Sequence, residues 1–176
     1  MQIRAYRNTS TKLEPVAISF KPIKPNSDLL VRIHDACFTS ETLGSLKCDC
    51  KEQLHLALDR IAKEGGLVIY LPQEGRGIGL ANKIAAYAKQ DEGFDTVEAN
   101  RQIHMPIESR SYEDAAMILK DLEISQIHLM TNNPLKIDAL RATGIEILTR
   151  VPIVAKENQH SASYLETKKF RMGHLF

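Results

Sequence analysis

The 176-residue chain has no apolar run approaching 18 residues, no charge excess of either sign and no cysteine outside one fourteen-residue stretch. The first absence argues against a membrane-spanning helix. The second, 23 Lys plus Arg against 22 Asp plus Glu for a formal charge of +1, argues against bulk electrostatic binding to nucleic acid or to a membrane. Any anionic partner must therefore be held by a local site. The amino-terminal Met-Gln-Ile-Arg-Ala-Tyr-Arg lacks the apolar core of a signal peptide, and internal repeats and low-complexity tracts are missing as well. The expectation is a soluble protein of a reducing, cytoplasmic compartment, with neither nucleic acid nor membrane as partner. Its length suits one domain with a sizeable core, spanning residues 1–176, rather than two.

What is present is concentrated in Cys37-Phe-Thr-Ser-Glu-Thr-Leu-Gly-Ser-Leu-Lys-Cys48-Asp-Cys50. Three thiolates are one short of a closed structural zinc site and match a catalytic zinc that keeps its fourth position for water. The spacing also admits a disulfide, inert buried thiols, or a structural site completed by His34. A disulfide needs an oxidising compartment, and a Cys-x-Cys pair closes only with strain. Spacing alone leaves these alternatives open.

The rest of the chain alternates short apolar runs with amphipathic segments. Residues 1–27 are polar and hold Pro15, Pro22 and Pro25, so Val16–Phe20 predicts an edge strand plus loops at best. Leu29–Ile33, Leu67–Leu71 and Gln126–Met130 read as strands, as do Ile145–Leu148 and Val151–Val154. Helical spacing marks Glu52–Glu64, Leu80–Lys89 and Tyr112–Leu122, and Pro134 opens a further helix that stops at Gly144. The polar stretch 91–110 predicts a long surface loop, and a short helix is expected near Ser163–Arg171. Strands alternating with helices predict an α/β chain of mixed α+β character, a single domain whose mixed sheet is flanked by helices.

Three loops follow strands and carry polar groups. Glu74-Gly-Arg-Gly-Ile-Gly79 puts glycines at alternate positions before a helix, where backbone N–H groups can approach a phosphate and Arg76 can add a bidentate contact; a plain turn is the simpler alternative. Thr131-Asn-Asn-Pro134-Leu-Lys136 sits at a strand's carboxyl end, where open sheets bind ligands, and can equally be a helix cap. Glu108 and Arg110 lie just before a helix and can face a site or cap that helix. Tyr87 reads as a core residue, His128 as a hydrogen-bonded sheet histidine and His55 as solvated.

Together, Cys37…Cys48-Asp-Cys50, Gln73-Glu-Gly-Arg76, Asn82-Lys-Ile84, Asp95-Thr-Val-Glu-Ala-Asn100, Thr131-Asn-Asn-Pro134 and Met172-Gly-His-Leu175 resemble GTP cyclohydrolase II of riboflavin biosynthesis. The match runs in order from about residue 28 to the end of the chain. The resemblance implies a zinc enzyme that uses GTP, Mg2+ and water to release formate and pyrophosphate, leaving 2,5-diamino-6-(5-phosphoribosylamino)pyrimidin-4(3H)-one. It implies Cys37, Cys48 and Cys50 as ligands of one Zn2+, Arg110 as the nucleophile toward the α-phosphorus, Glu108 as proton acceptor and Tyr87 as the residue orienting base and water. GTP contacts carry over onto Arg32, His34, Gln53, Glu74, Gly75, Arg76, Thr96, Thr131 and Lys136. The family also implies a homodimer.

The chain departs from the family pattern near these positions. Where the family reads Arg-x-His-Ser-Glu-Cys, this chain has Arg32-Ile-His-Asp35-Ala36-Cys37; Lys51 replaces the glycine usual after the third cysteine; Glu108 stands where aspartate is usual; and the segment 1–27 reads as divergent and shortened. These departures motivate an alternative: a diverged paralogue that binds GTP or another purine nucleotide with incomplete or no turnover, as a regulatory protein. Retention of three thiols, Tyr87 and Arg110 favours the enzyme, because a binding module has no need of an open zinc.

Overall fold

The centre of the molecule is β3 (Leu29–Asp35), whose Val31 and Ile33 are fully buried. It pairs in parallel with β4 (Leu67–Leu71) on one side and β5 (Gln126–Met130) on the other. β6 (Glu146–Val151) extends the parallel part beyond β5, while β2 (Val16–Ser19) and β1 (Gln2–Ala5) add antiparallel strands beyond β4. The strand order is β1-β2-β4-β3-β5-β6, the mixed sheet expected from the pattern of runs. These relations come from a computed structural model of the chain, which describes residues 1–155 and Gly173.

The helices cover both faces. α2 (Cys50–Glu64) lays Ala57 and Ile61 against Val68 and Met130. α5 (Glu113–Asp121) and α6 (Pro134–Ala142) bury Ala115, Ile118, Leu119 and Leu140 against Ile33, Leu67, Ile69 and Leu129 on the other face. Alternate residues of a strand point to opposite faces, which explains why Val68 joins one cluster while Leu67 and Ile69 join the other. Burying an isoleucine such as Ile61 contributes about 2–3 kcal/mol. Chain order places β4 on one side of β3 and β5 on the other, so the loops after these three strands diverge and open a crevice at their carboxyl ends.

Four local features differ from the sequence expectation. Residues 1–27 give two strands, and β2 lies inside the sheet, with Ala17 and Ser19 buried. The stretch 91–110 is not all loop: α4 (Thr96–Gln102) starts at Asp95, whose carboxylate accepts the Val97 and Glu98 N–H groups at 2.8 and 3.0 Å. That is an ordinary N-cap, obscured by the turn formers around it. The two runs near 145–154 form one strand that ends at Val151, because Pro152 has no N–H for the ladder. A short helix, α1 (Phe38–Glu41), turns the chain between the first and second cysteines. The helix expected near 163–171 and the motif at 172–175 fall outside the described residues, Gly173 apart.

Candidate active site

All three sulfurs converge at the carboxyl end of β3. Cys37 follows the strand by two residues, α1 and its turn bring the chain back, and Cys48 and Cys50 flank the entrance to α2. Their Sγ atoms lie within 4.8 Å of one another and form the one group of three or more metal-ligating side chains among the described residues. Zinc–sulfur bonds of about 2.3 Å at tetrahedral angles put sulfurs about 3.8 Å apart. The Cys37–Cys48 separation of 3.6 Å fits that spacing and is far too long for a disulfide. Hydrogen bonds from the Cys48 and Cys50 thiols, with the nearby Lys83 ammonium, push the Cys37 thiol far below its ordinary range, whereas Cys48, donating toward Cys37, is pushed up. A soft, partly ionised three-sulfur set suits zinc.

His34 is not a fourth ligand. Its Nε2 meets the Glu41 carboxylate at 2.9 Å, its ring stacks on Tyr70, and burial holds it neutral by lowering its pKa. Glu41 in turn accepts the Cys37 backbone N–H at 2.9 Å and the Tyr70 hydroxyl at 2.7 Å. One partly buried carboxylate therefore fixes where the first thiol leaves the sheet.

α3 (Leu80–Asp91) supplies the facing wall. Lys83 and Tyr87, one turn apart, both look toward the sulfurs. The Lys83 Nζ donates to Cys37 Sγ at 3.1 Å and to Glu74 at 2.8 Å, and the Tyr87 hydroxyl lies 3.5 Å from Thr39, which itself contacts Cys37. Burial alone would lower the Lys83 pKa; its bond to Glu74 and the Cys37 thiolate raise it instead, so it stays charged. An N–H···S bond of this kind neutralises thiolate charge and tunes the metal. Lys83→Met is expected to lower zinc affinity about 10–100-fold, measured by competition with a chromogenic chelator. Unchanged affinity would show that the ammonium does not act on the sulfur.

The glycine loop has a structural duty beside any ligand contact. Gly77 sits at φ +89°, and a Cβ there would lie 2.7 Å from the Ser109 carbonyl oxygen. Ser109 also donates its N–H to the Arg76 carbonyl at 3.0 Å, so the loop docks the segment that carries Glu108 and Arg110. Gly77→Ala is expected to destabilise the fold by about 1–3 kcal/mol, read from urea unfolding.

On that segment Arg110 is 12% exposed. Its Nε donates to Glu108 at 2.7 Å, its Nη2 also pairs with Glu108, and its Nη1 donates to Asp35 at 2.9 Å. Burial would lower its pKa, but Glu108 and then Asp35 raise it, and the guanidinium is held charged. Asp35 also pairs with Lys136 at 2.8 Å; burial raises the Asp35 pKa, yet Lys136 and Arg110 bring it below the usual carboxylate range. Burial pushes Lys136 down to about 8. Arg32, buried, donates to the Met130 carbonyl at 3.1 Å and to Gln53 at 2.7 Å.

Between these walls lies a cleft of about 470 Å³, within the range of small-molecule sites. Every metal-binding, catalytic and GTP-contacting residue implied by the family resemblance lines it except Glu108, which pairs with Arg110. Among the described residues, five buried side-chain polar atoms have no hydrogen-bond partner, and four of them, on Arg32, His34, Arg76 and Asn100, belong to the lining. Orphaned groups of this kind carry a desolvation cost that a polar ligand would relieve. His128, bonded to Thr149 at 2.7 Å, and the exposed His55 play no part in the cleft.

Sequence reasoning gave no role to Asp35, Glu41 or Lys83. Lys83 had a local signal, its i,i+4 spacing to Tyr87 on one helix face. The roles of Asp35 and Glu41 depend on partners from other elements, which spacing does not reveal.

Fold and cleft define an α/β protein with a three-thiol cluster able to hold a metal ion beside a cationic small-molecule pocket. The sequence profile of GTP cyclohydrolase II matches residues 1–152, reaching back over the segment expected to diverge. The GTP cyclohydrolase-2 of Buchnera aphidicola (subspecies Schizaphis graminum) is 49% identical over 161 residues, 91% of this chain and 82% of that protein. That of Campylobacter fetus is 47% identical over 174 residues, 99% of this chain and 88% of that protein. The riboflavin biosynthesis protein RibBA of Aquifex aeolicus is 47% identical over 177 residues, 99% of this chain but 44% of that protein. The chain thus spans less than half of the RibBA proteins it matches and more than four fifths of the GTP cyclohydrolase-2 relatives. It belongs to the GTP cyclohydrolase II family.

Proposed function

We propose that this chain is a zinc-dependent GTP cyclohydrolase II, hydrolysing GTP to 2,5-diamino-6-(5-phosphoribosylamino)pyrimidin-4(3H)-one with release of formate and pyrophosphate. The observation that carries the reading is the convergence of three thiols, within 4.8 Å, on a cleft whose other walls hold Tyr87, Arg76 and Arg110. Zinc held by Cys37, Cys48 and Cys50 would supply Lewis acidity and an activated water at the guanine C8.

The remaining work falls to the chain's own groups. Arg32, Arg76 and Lys136 neutralise the triphosphate, with Gly75, Thr96 and Thr131 around it, and Mg2+ arriving with the phosphates would need few protein ligands. Glu74 or Gln53 reads the guanine edge by paired hydrogen bonds, and His34 is a further contact to GTP. Glu74 is well prepared for this, since the Phe38 N–H at 2.6 Å and Lys83 already hold its carboxylate in place. Tyr87 orients base and water. Attack by Arg110 on the α-phosphorus requires the guanidinium to lose a proton; two carboxylates are within reach, Glu108 and Asp35, and Glu108, on the same segment and not shared with Lys136, is assigned as the acceptor. The working form is a homodimer of the cytoplasm.

Glu108→Gln is expected to lower pyrophosphate release at least about 100-fold, and Glu108→Asp about 10-fold or less, because the first removes the base while the second only shortens its reach. Equal losses in initial-rate assays would remove Glu108 from the proton path. The decisive assay for the whole reading incubates zinc-loaded protein with GTP and Mg2+ and counts formate and pyrophosphate per GTP consumed. One of each supports the proposal. GTP bound without turnover would overturn it in favour of a nucleotide-binding paralogue.

A further inference from the structure

Asp35, the last residue of β3, is the one carboxylate that reaches both Arg110 and Lys136 among the described residues. A single oxygen, Oδ2, accepts Arg110 Nη1 at 2.9 Å and Lys136 Nζ at 2.8 Å, and the Tyr112 hydroxyl approaches it at 3.5 Å. The other oxygen faces the Gln73 side-chain amide at 3.4 Å. These donors come from the loop after β4, the segment before α5, the start of α5 and the first turn of α6. Lys136 is anchored to the same strand a second time, through the Ile33 carbonyl at 2.9 Å.

Glu108 and Asp35 constrain Arg110 in different ways. Glu108 is two residues away on the same segment, so their pairing orients the guanidinium relative to its own loop and leaves it free to move with that loop. Asp35 belongs to the central strand and is two residues from Cys37, so its bond fixes the guanidinium relative to the sheet and to the thiols. We infer that Asp35 is a positioning residue that registers Arg110 and Lys136 against the metal centre, setting the span between the base-opening and phosphate-releasing ends of the cleft. Its role in catalysis rests on the function proposed above, and its effect is exerted through Arg110.

The test compares zinc-loaded wild type, Asp35→Asn and Asp35→Glu by three readouts: zinc per chain, pyrophosphate release from GTP, and the guanidinium Nη–H resonances in 15N NMR. Arg110 is assigned by the signal missing in Arg110→Lys. A guanidinium pinned by two carboxylates rotates slowly and gives separate Nη signals. Asp35→Asn is expected to keep wild-type zinc, to lose the Arg110 signals, and to release pyrophosphate at least about 100-fold more slowly, the scale of a misplacement near 1 Å. Asp35→Glu, with its charge kept and shifted by a methylene, recovers part of both. Should Asp35→Asn fail to fold, Asp35→Asn with Lys136→Met removes the two buried charges together and carries the same expected loss of the Arg110 signals. Pyrophosphate release within about threefold of wild type, Arg110 signals intact in Asp35→Asn, or zinc lost in step with activity would each overturn the inference. A wild type that releases no pyrophosphate would instead overturn the proposed function, while the NMR comparison would still decide whether Asp35 holds Arg110.

Discussion

Cys48→Ser is expected to purify without zinc and to release formate at least about 1000-fold more slowly than wild type. Serine keeps the shape of the side chain but its hydroxyl does not ionise near neutral pH, so the site falls from three thiolates to two. Two sulfurs cannot hold a zinc that must keep a position open, and the activated water is lost with it. The fold itself should survive, because Cys48 lies in the cysteine loop outside both hydrophobic clusters of the sheet. Metal analysis and formate assay on the same preparation check the result. A variant with full zinc and full activity would remove these thiols from the chemistry.

Arg110→Ala is expected to keep its zinc and to stop pyrophosphate release, by at least about 1000-fold, the scale seen when a group that stabilises transition-state charge is removed. The substitution also leaves Glu108 without its cation, while Asp35 retains Lys136. Glu108 is 29% exposed and can rehydrate, so a modest fall in stability should accompany the loss of activity. Separate measurement of zinc, unfolding and pyrophosphate distinguishes the two effects. Full activity would mean that the α-phosphate is handled by another residue.

Much of the frame is legible in residue order. Leu67–Leu71 and Gln126–Met130 are short apolar runs bounded by turn signals, and both are strands with the expected limits. The amphipathic stretch ending at Gly65 is α2, begun two residues earlier than its periodicity indicates because Cys50 forms its first turn. Where reading by composition failed, local signals competed. In 91–110 the turn formers outweighed the Asp95 cap, and in 1–27 the prolines pointed to an edge strand at Val16–Phe20 where the sheet shelters β2 between two neighbours, and gave no sign of β1. The cleft-lining residues were legible only in part, since a loop glycine such as Gly77 reads as a phosphate cradle until Ser109 is seen packed against it.

By itself the sequence determined the alternation of strands and helices, the confinement of the cysteines to one loop, and the set of motifs that identify the family. Hydrophobic periodicity and residue chemistry are local properties, and a linear reading recovers them. The tertiary structure decided which charges meet. Asp35 and Lys136 are 101 positions apart, Asp35 and Arg110 are 75 apart, and Lys83 reaches Cys37 across 46. Such pairs form because the loops after β3, β4 and β5 open onto one crevice at the point where the strand order reverses, and burial there makes each pairing strong.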